Sequence, residues 1–107
     1  MQPASPAKLL RIHISEADRH QGRPLHEAIV AKCRELKIAG ASVFLGLEGY
    51  GETAEIHKGH IVGSDRPVLI IVVDAPDNIE RLIPVVSEMI NTGLIATSEA
   101  QMVRVET

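Results

Sequence analysis

Aromatic residues are nearly missing from this chain, which has one Phe, one Tyr and no Trp among 107 residues. Its core must therefore be built from Ile, Val, Leu and Ala. The same scarcity leaves no row of stacking rings for single-stranded nucleic acid. A net charge of −3 leaves no basic footprint for a phosphate backbone. One cysteine, Cys33, excludes an internal disulfide framework and points to a reducing compartment. The first residues, MQPASPAK, show no apolar h-region of a secretory signal. The longest apolar run, Val68 to Val73, is too short to cross a membrane. The expected setting is cytoplasmic. No Walker-type glycine–lysine loop and no nucleophile–base–acid series stands out, so an enzyme is the weaker expectation.

What is present reads as one small domain. Residues 1–7 are small, polar and proline-bearing, and are expected to form a flexible arm before a domain over 8–107. Leu10, Ile12 and Ile14 alternate with Arg11 and His13, as in a strand. Ser15 to Arg23 reads as a polar loop holding the cluster Asp18, Arg19, His20 and Arg23. That cluster is either loop structure or a subunit or ligand contact. Pro24 suits a first helical position. Leu25, Ala28, Ile29, Cys33 and Leu36 then share one helical face, with Gly40 as the stop. Cys33 on that face is expected to be a core thiol, and His26 a surface residue.

A second strand is expected from Ser42 to about Tyr50, and a third at Val68 to Val73. Asp74 or Ala75 can cap the next helix. Its stripe runs from Ile79 through Leu82, Ile83, Val86 and Met89 to Ile90, with a kink expected at Pro84. The last strand is expected at about Ala100 to Val105. The order β-α-β, β-α-β is the ferredoxin-like α+β arrangement, a four-stranded antiparallel sheet with two helices on one face. The third strand is apolar on both faces, although only one can meet the helices. Self-association is the simplest way to cover the other. Between the second and third strands, Gly49-Tyr50-Gly51 opens a polar segment rich in Glu, His and Lys. This is the look of a functional loop on a rigid scaffold.

The segment LRIHISEADRHQGRPLHEAIVAKCRELKIAGASVFLGLEGYG, continued by IHKGHIVGSDRPVLIIVVD, resembles the domain-of-unknown-function-190 branch of the PII-like proteins. The resemblance spans about Lys8 to Val105. It implies a ferredoxin-like homotrimer whose sheets line a barrel, with an adenine-type nucleotide bound in clefts between subunits. It further implies a flexible loop at about 51–66 that responds to the ligand and docks on a protein partner, such as a transporter or an enzyme. By that resemblance the ligand-binding residues are Gly49, Tyr50, Gly51, Glu52, Gly93 and Arg104. The partner-facing loop residues are Glu55, His57, Lys58 and His60.

The chain departs from typical PII proteins after Ile95. It reads Ala96-Thr97-Ser98-Glu99 and lacks their phosphate-binding lysine. A glutamate there suits AMP, ADP or a cyclic nucleotide better than ATP. No nucleic-acid partner is expected. The second reading is a metal-binding trimer of similar architecture, with Glu55, His57 and His60 as ligands. Residues three apart on an extended strand face opposite sides, which weakens it.

Overall fold

The computed structural model describes residues 3–49 and 66–106. A long strand β1 (Ser5–Ser15) is followed by two-residue strands β2 (Arg19–His20) and β3 (Arg23–Pro24), which pair antiparallel. Helix α1 (Leu25–Glu35), strands β4 (Ser42–Leu45) and β5 (Pro67–Asp74), helix α2 (Pro76–Met89) and strand β6 (Leu94–Met102) complete the chain. The main sheet has the order β4-β5-β1-β6, with each neighbouring pair antiparallel. This is the ferredoxin-like arrangement expected from the sequence.

Alternation sorts the residues between two faces. Leu10, Ile12 and Ile14 of β1, and Val68, Ile70 and Val72 of β5, are all buried. They form one cluster with Leu25, Ile29 and Cys33 of α1 and Ile79, Leu82 and Val86 of α2. Both helices therefore lie on one face. On the other face Leu69 and Ile71 are half-buried and Val73 is exposed. Phe44, opposite Leu69, and Leu94, opposite His13, are about half exposed as well.

Several boundaries differ from expectation. Ser5 to Ala7 are not an arm: they pair with Met102 to Ala100, and Ala7 is buried. Their backbone groups complete a ladder, an advantage that small-residue composition does not reveal. The polar loop contains the β2–β3 hairpin, with Gln21 at φ 52° and Gly22 at φ 83°. Two left-handed residues are what a type I′ turn requires. The second strand ends at Leu45 rather than near Tyr50.

Helix α1 stops before Gly40, by another device. Lys37 takes φ 62°, its N–H donates to the Arg34 carbonyl, and the Ile38 N–H donates to the Cys33 carbonyl. Those two bonds make a Schellman motif with lysine in the position glycine usually holds. Pro24 precedes the helix at its N-cap rather than opening it. Helix α2 runs through Pro84. Pro84 and Glu80, whose carbonyl loses its usual donor, are both exposed, so water can satisfy that group. No helix among the described residues is long and apolar enough to cross a membrane.

Candidate functional site

The sheet has two ends, and the expected ligand residues divide between them. At one end β4 leads into Gly46, whose N–H donates to the Pro67 carbonyl at 2.7 Å. A Cβ on Gly49 would lie 3.4 Å from Pro67 Cγ, so the loop base folds back over the start of β5. The Glu16 N–H donates to the Arg66 carbonyl, which ties the end of β1 to the same place. Gly93 opens β6 at this end, one residue before Leu94 pairs with His13. Gly49 follows β4 and Gly93 precedes β6, the two edge strands, which stand three strand spacings or about 14 Å apart.

Gly93 is fixed by close approach. A Cβ there would meet the His13 carbonyl oxygen at 2.8 Å and methyls of Ile90 and Ile14 at 3.0 and 3.2 Å. Gly93→Ala is expected to cost about 1–3 kcal/mol by overpacking. Thermal unfolding should show it as a fall of roughly 4–8 °C per kcal/mol. An unchanged midpoint would mean that this turn gives way easily and that Gly93 is not pinned against β1.

Arg104 lies at the far end. Strand β6 carries the chain away from Gly93 for nine residues, about 30 Å by the time it reaches Met102, two residues before Arg104. There Arg104 lines a cleft of about 490 Å³ with Ala39, Val73 and Glu106 among others. The cleft adjoins Asp74, which is 6% exposed. Its carboxylate accepts hydrogen bonds from the Ala39 N–H (2.9 Å), the Ala75 N–H (2.7 Å) and Asn78 Nδ2 (3.0 Å). Burial alone would raise the Asp74 carboxyl. These three donors, with the Arg104 charge, outweigh burial and hold it below its ordinary value. The N-cap position of α2 is Ala75, with no side-chain cap bond, so Asp74 is not the cap; it joins the α1–β4 link to the start of α2 from one residue earlier.

One protomer therefore keeps Arg104 away from Gly49 and Gly93. Glu99 is also displaced from its expected place. It sits on β6 opposite Lys8, six residues beyond Gly93, not in a phosphate-facing loop. The objection that Glu99 raised to a triphosphate does not survive this placement. Arg66 is the residue that the sequence reading passed over as a site. It stands immediately before β5, next to Pro67, against whose ring Gly49 lies. The available signal was its position at the loop's return.

Tyr50, Gly51, Glu52, Glu55, His57, Lys58 and His60 lie outside the described residues. Among the described residues no group of His, Cys, Asp and Glu could hold a metal ion. Cys33 is buried, and desolvation pushes its thiol up, which suits a core thiol rather than a nucleophile. In the polar cluster, Asp18 serves the loop itself. Its Oδ2 accepts from the Ser15 N–H and its carbonyl from the Leu25 N–H. Arg19 and Arg23 are exposed and make no ion pair among the described residues.

The family model DUF190, "Uncharacterized ACR", matches residues 7–102. A UPF0166 protein of Aquifex aeolicus is 33% identical over 98 residues, covering 90% of this chain and 92% of its own. A UPF0166 protein of Methanocaldococcus jannaschii is 34% identical over 104 residues, covering 94% and 95%. Among solved structures, a PII-like protein of Thermus thermophilus superposes with a TM-score of 0.69 at 14% identity, covering 96% of this chain and 94% of its own. The nitrogen regulatory PII-like protein CPII of Thiomonas intermedia, bound to ADP, AMP and bicarbonate, gives 0.66 at 17% identity, covering 97% and 94%. The fold is that of the PII-like proteins, and the chain belongs to the DUF190 family.

Proposed function

We propose that this protein is a homotrimeric regulator, not an enzyme, that binds an adenine nucleotide between subunits. The observation that carries the proposal is the uncovered apolar face of a sheet with a PII-like fold. Leu69, Ile71, Phe44 and Leu94 need a partner, and further copies of the chain are the simplest one. The separation of Arg104 from Gly49 and Gly93 adds support. A site using all three needs more than one copy. The fold's likeness to a protein bound to ADP and AMP supports the ligand class.

In this reading the backbone N–H groups around Gly49 to Gly51 and at Gly93 approach the ligand. Tyr50 packs on it, Glu52 contacts it, and Arg66 and Arg104 offset its charge. AMP, ADP or a cyclic nucleotide is preferred to ATP, because residues 90–93, which lead into β6, hold no lysine or arginine. Ligand binding orders residues 51–66, where Glu55, His57, Lys58 and His60 meet a protein partner such as a transporter or an enzyme. The ligand must then bind the two loop states with different affinity.

Calorimetric titration with AMP, ADP, cyclic AMP and ATP tests this, with loop proteolysis as a second readout. Arg104→Gln should weaken the best ligand by roughly 10–100-fold, the worth of one charge-assisted contact, without changing the oligomer. No heat and no protection with any of the four nucleotides would end the proposal.

A further inference from the structure

Among the described residues, the strands of the sheet carry two basic groups and no acidic one on the face turned away from the helices. Arg11 and His13 alternate with the buried Leu10, Ile12 and Ile14, so they point to this face. Arg11 stands between Ile71 and Ala96, and His13 between Leu69 and Leu94. Every position of β4, β5 and β6 that shares the face is uncharged. Asp74 and Glu99 stand in register with Lys8, whose side chain pairs with Glu80 of α2, so all three are on the helix side. Among the described residues Arg11 makes no ion pair.

Covering this face with further copies creates a difficulty. A closed rotational assembly sets equivalent residues around its axis. It therefore adds more Arg11 side chains near the first and brings no carboxylate from the face. A guanidinium taken out of water without a counter-charge is strongly destabilising. Guanidinium forks match tetrahedral oxyanions in both charge and geometry.

We propose that the assembled protein holds one small oxyanion, of the phosphate or sulfate class, on its symmetry axis. One Arg11 from each copy grips it, and the His13 side chains form a second ring of donors. The inference rests on the assembly proposed above, but concerns a site separate from the nucleotide clefts.

Inorganic phosphate is the probe, titrated into native protein in chloride buffer at constant ionic strength. The expected result is one phosphate per three chains. Phosphate at ten times its dissociation constant should tighten assembly about tenfold. Arg11→Met should still assemble, take up no phosphate and lose the phosphate effect on assembly. An assembled wild type that binds no phosphate overturns the axial site and leaves the trimer standing. Three phosphates per three chains does the same, by placing them in the nucleotide clefts. Arg11→Met that binds as wild type also overturns it. A wild type monomeric at micromolar concentration overturns the assembly as well as the axial site.

Discussion

Val72→Lys is expected to leave the chain unfolded, whereas Ile71→Lys, one residue away, should fold and fail to assemble. Val72 is 1% exposed and packs in the helix-facing cluster. An uncompensated charge there costs about 3–5 kcal/mol. That is a large part of the roughly 5–15 kcal/mol that holds a domain together. Ile71 is half-buried on the open face, opposite Arg11 and Ser42. A lysine there stays wet in an isolated protomer and adds to the Arg11 charge once copies approach. Lysine is the informative choice, because a carboxylate at 71 would neutralise Arg11 and could rescue the interface. Circular dichroism and sedimentation velocity read the two outcomes. An Ile71→Lys protein with the wild-type mass would refute assembly through this face.

Asp74→Ala should be the most damaging single removal of a polar group. It leaves the Ala39 and Ala75 N–H groups and the Asn78 amide without their shared acceptor. The expected loss is about 2–4 kcal/mol, measured by urea unfolding at pH 7. The pH dependence has a definite sign. The folded carboxyl titrates below its unfolded value, so its contribution is complete above about pH 4 and disappears as pH falls through the folded value. Wild type and variant should therefore converge in stability toward pH 2. A difference that is the same at pH 2 and pH 7 would show that the charged form is not what matters.

The core of this fold was legible because its signals are local and periodic. Ile12 against Arg11, and Leu82 against Arg81, declare their faces through spacing alone. The third strand's continuous apolar run announced apolar side chains on both faces, and Leu69, Ile71 and Val73 do lie on the face away from the helices. The sheet's margins were hidden for the opposite reason. Thr97, Ser98 and Glu99 look like a loop, yet they pair with β1 because an edge strand can keep both faces wet. Ser5 to Ala7 owe their order to that same distant pairing. The end of α1 was misplaced because glycine is the usual mark of a left-handed cap, and here Lys37 bears that conformation. For the candidate site, the resemblance selected Gly49, Gly93 and Arg104. Only the antiparallel path of β6 shows that the first two share one end and Arg104 occupies the other.

Strand β1 is made first and ends in the middle of the sheet, with Lys8 paired to Asp74 on one side and to Glu99 on the other. During synthesis its first neighbour, β5, follows only after α1 and β4, and its second, β6, only when nearly the whole domain has been made. Its apolar residues wait through α1 before β5 can close one edge, and through α2 as well before β6 can close the other. Non-local pairing of this kind slows folding and prolongs exposure of sticky intermediates. A nascent chain halted before β6 would lack one wall of its central strand, making it a natural client for chaperones and an early target for proteases.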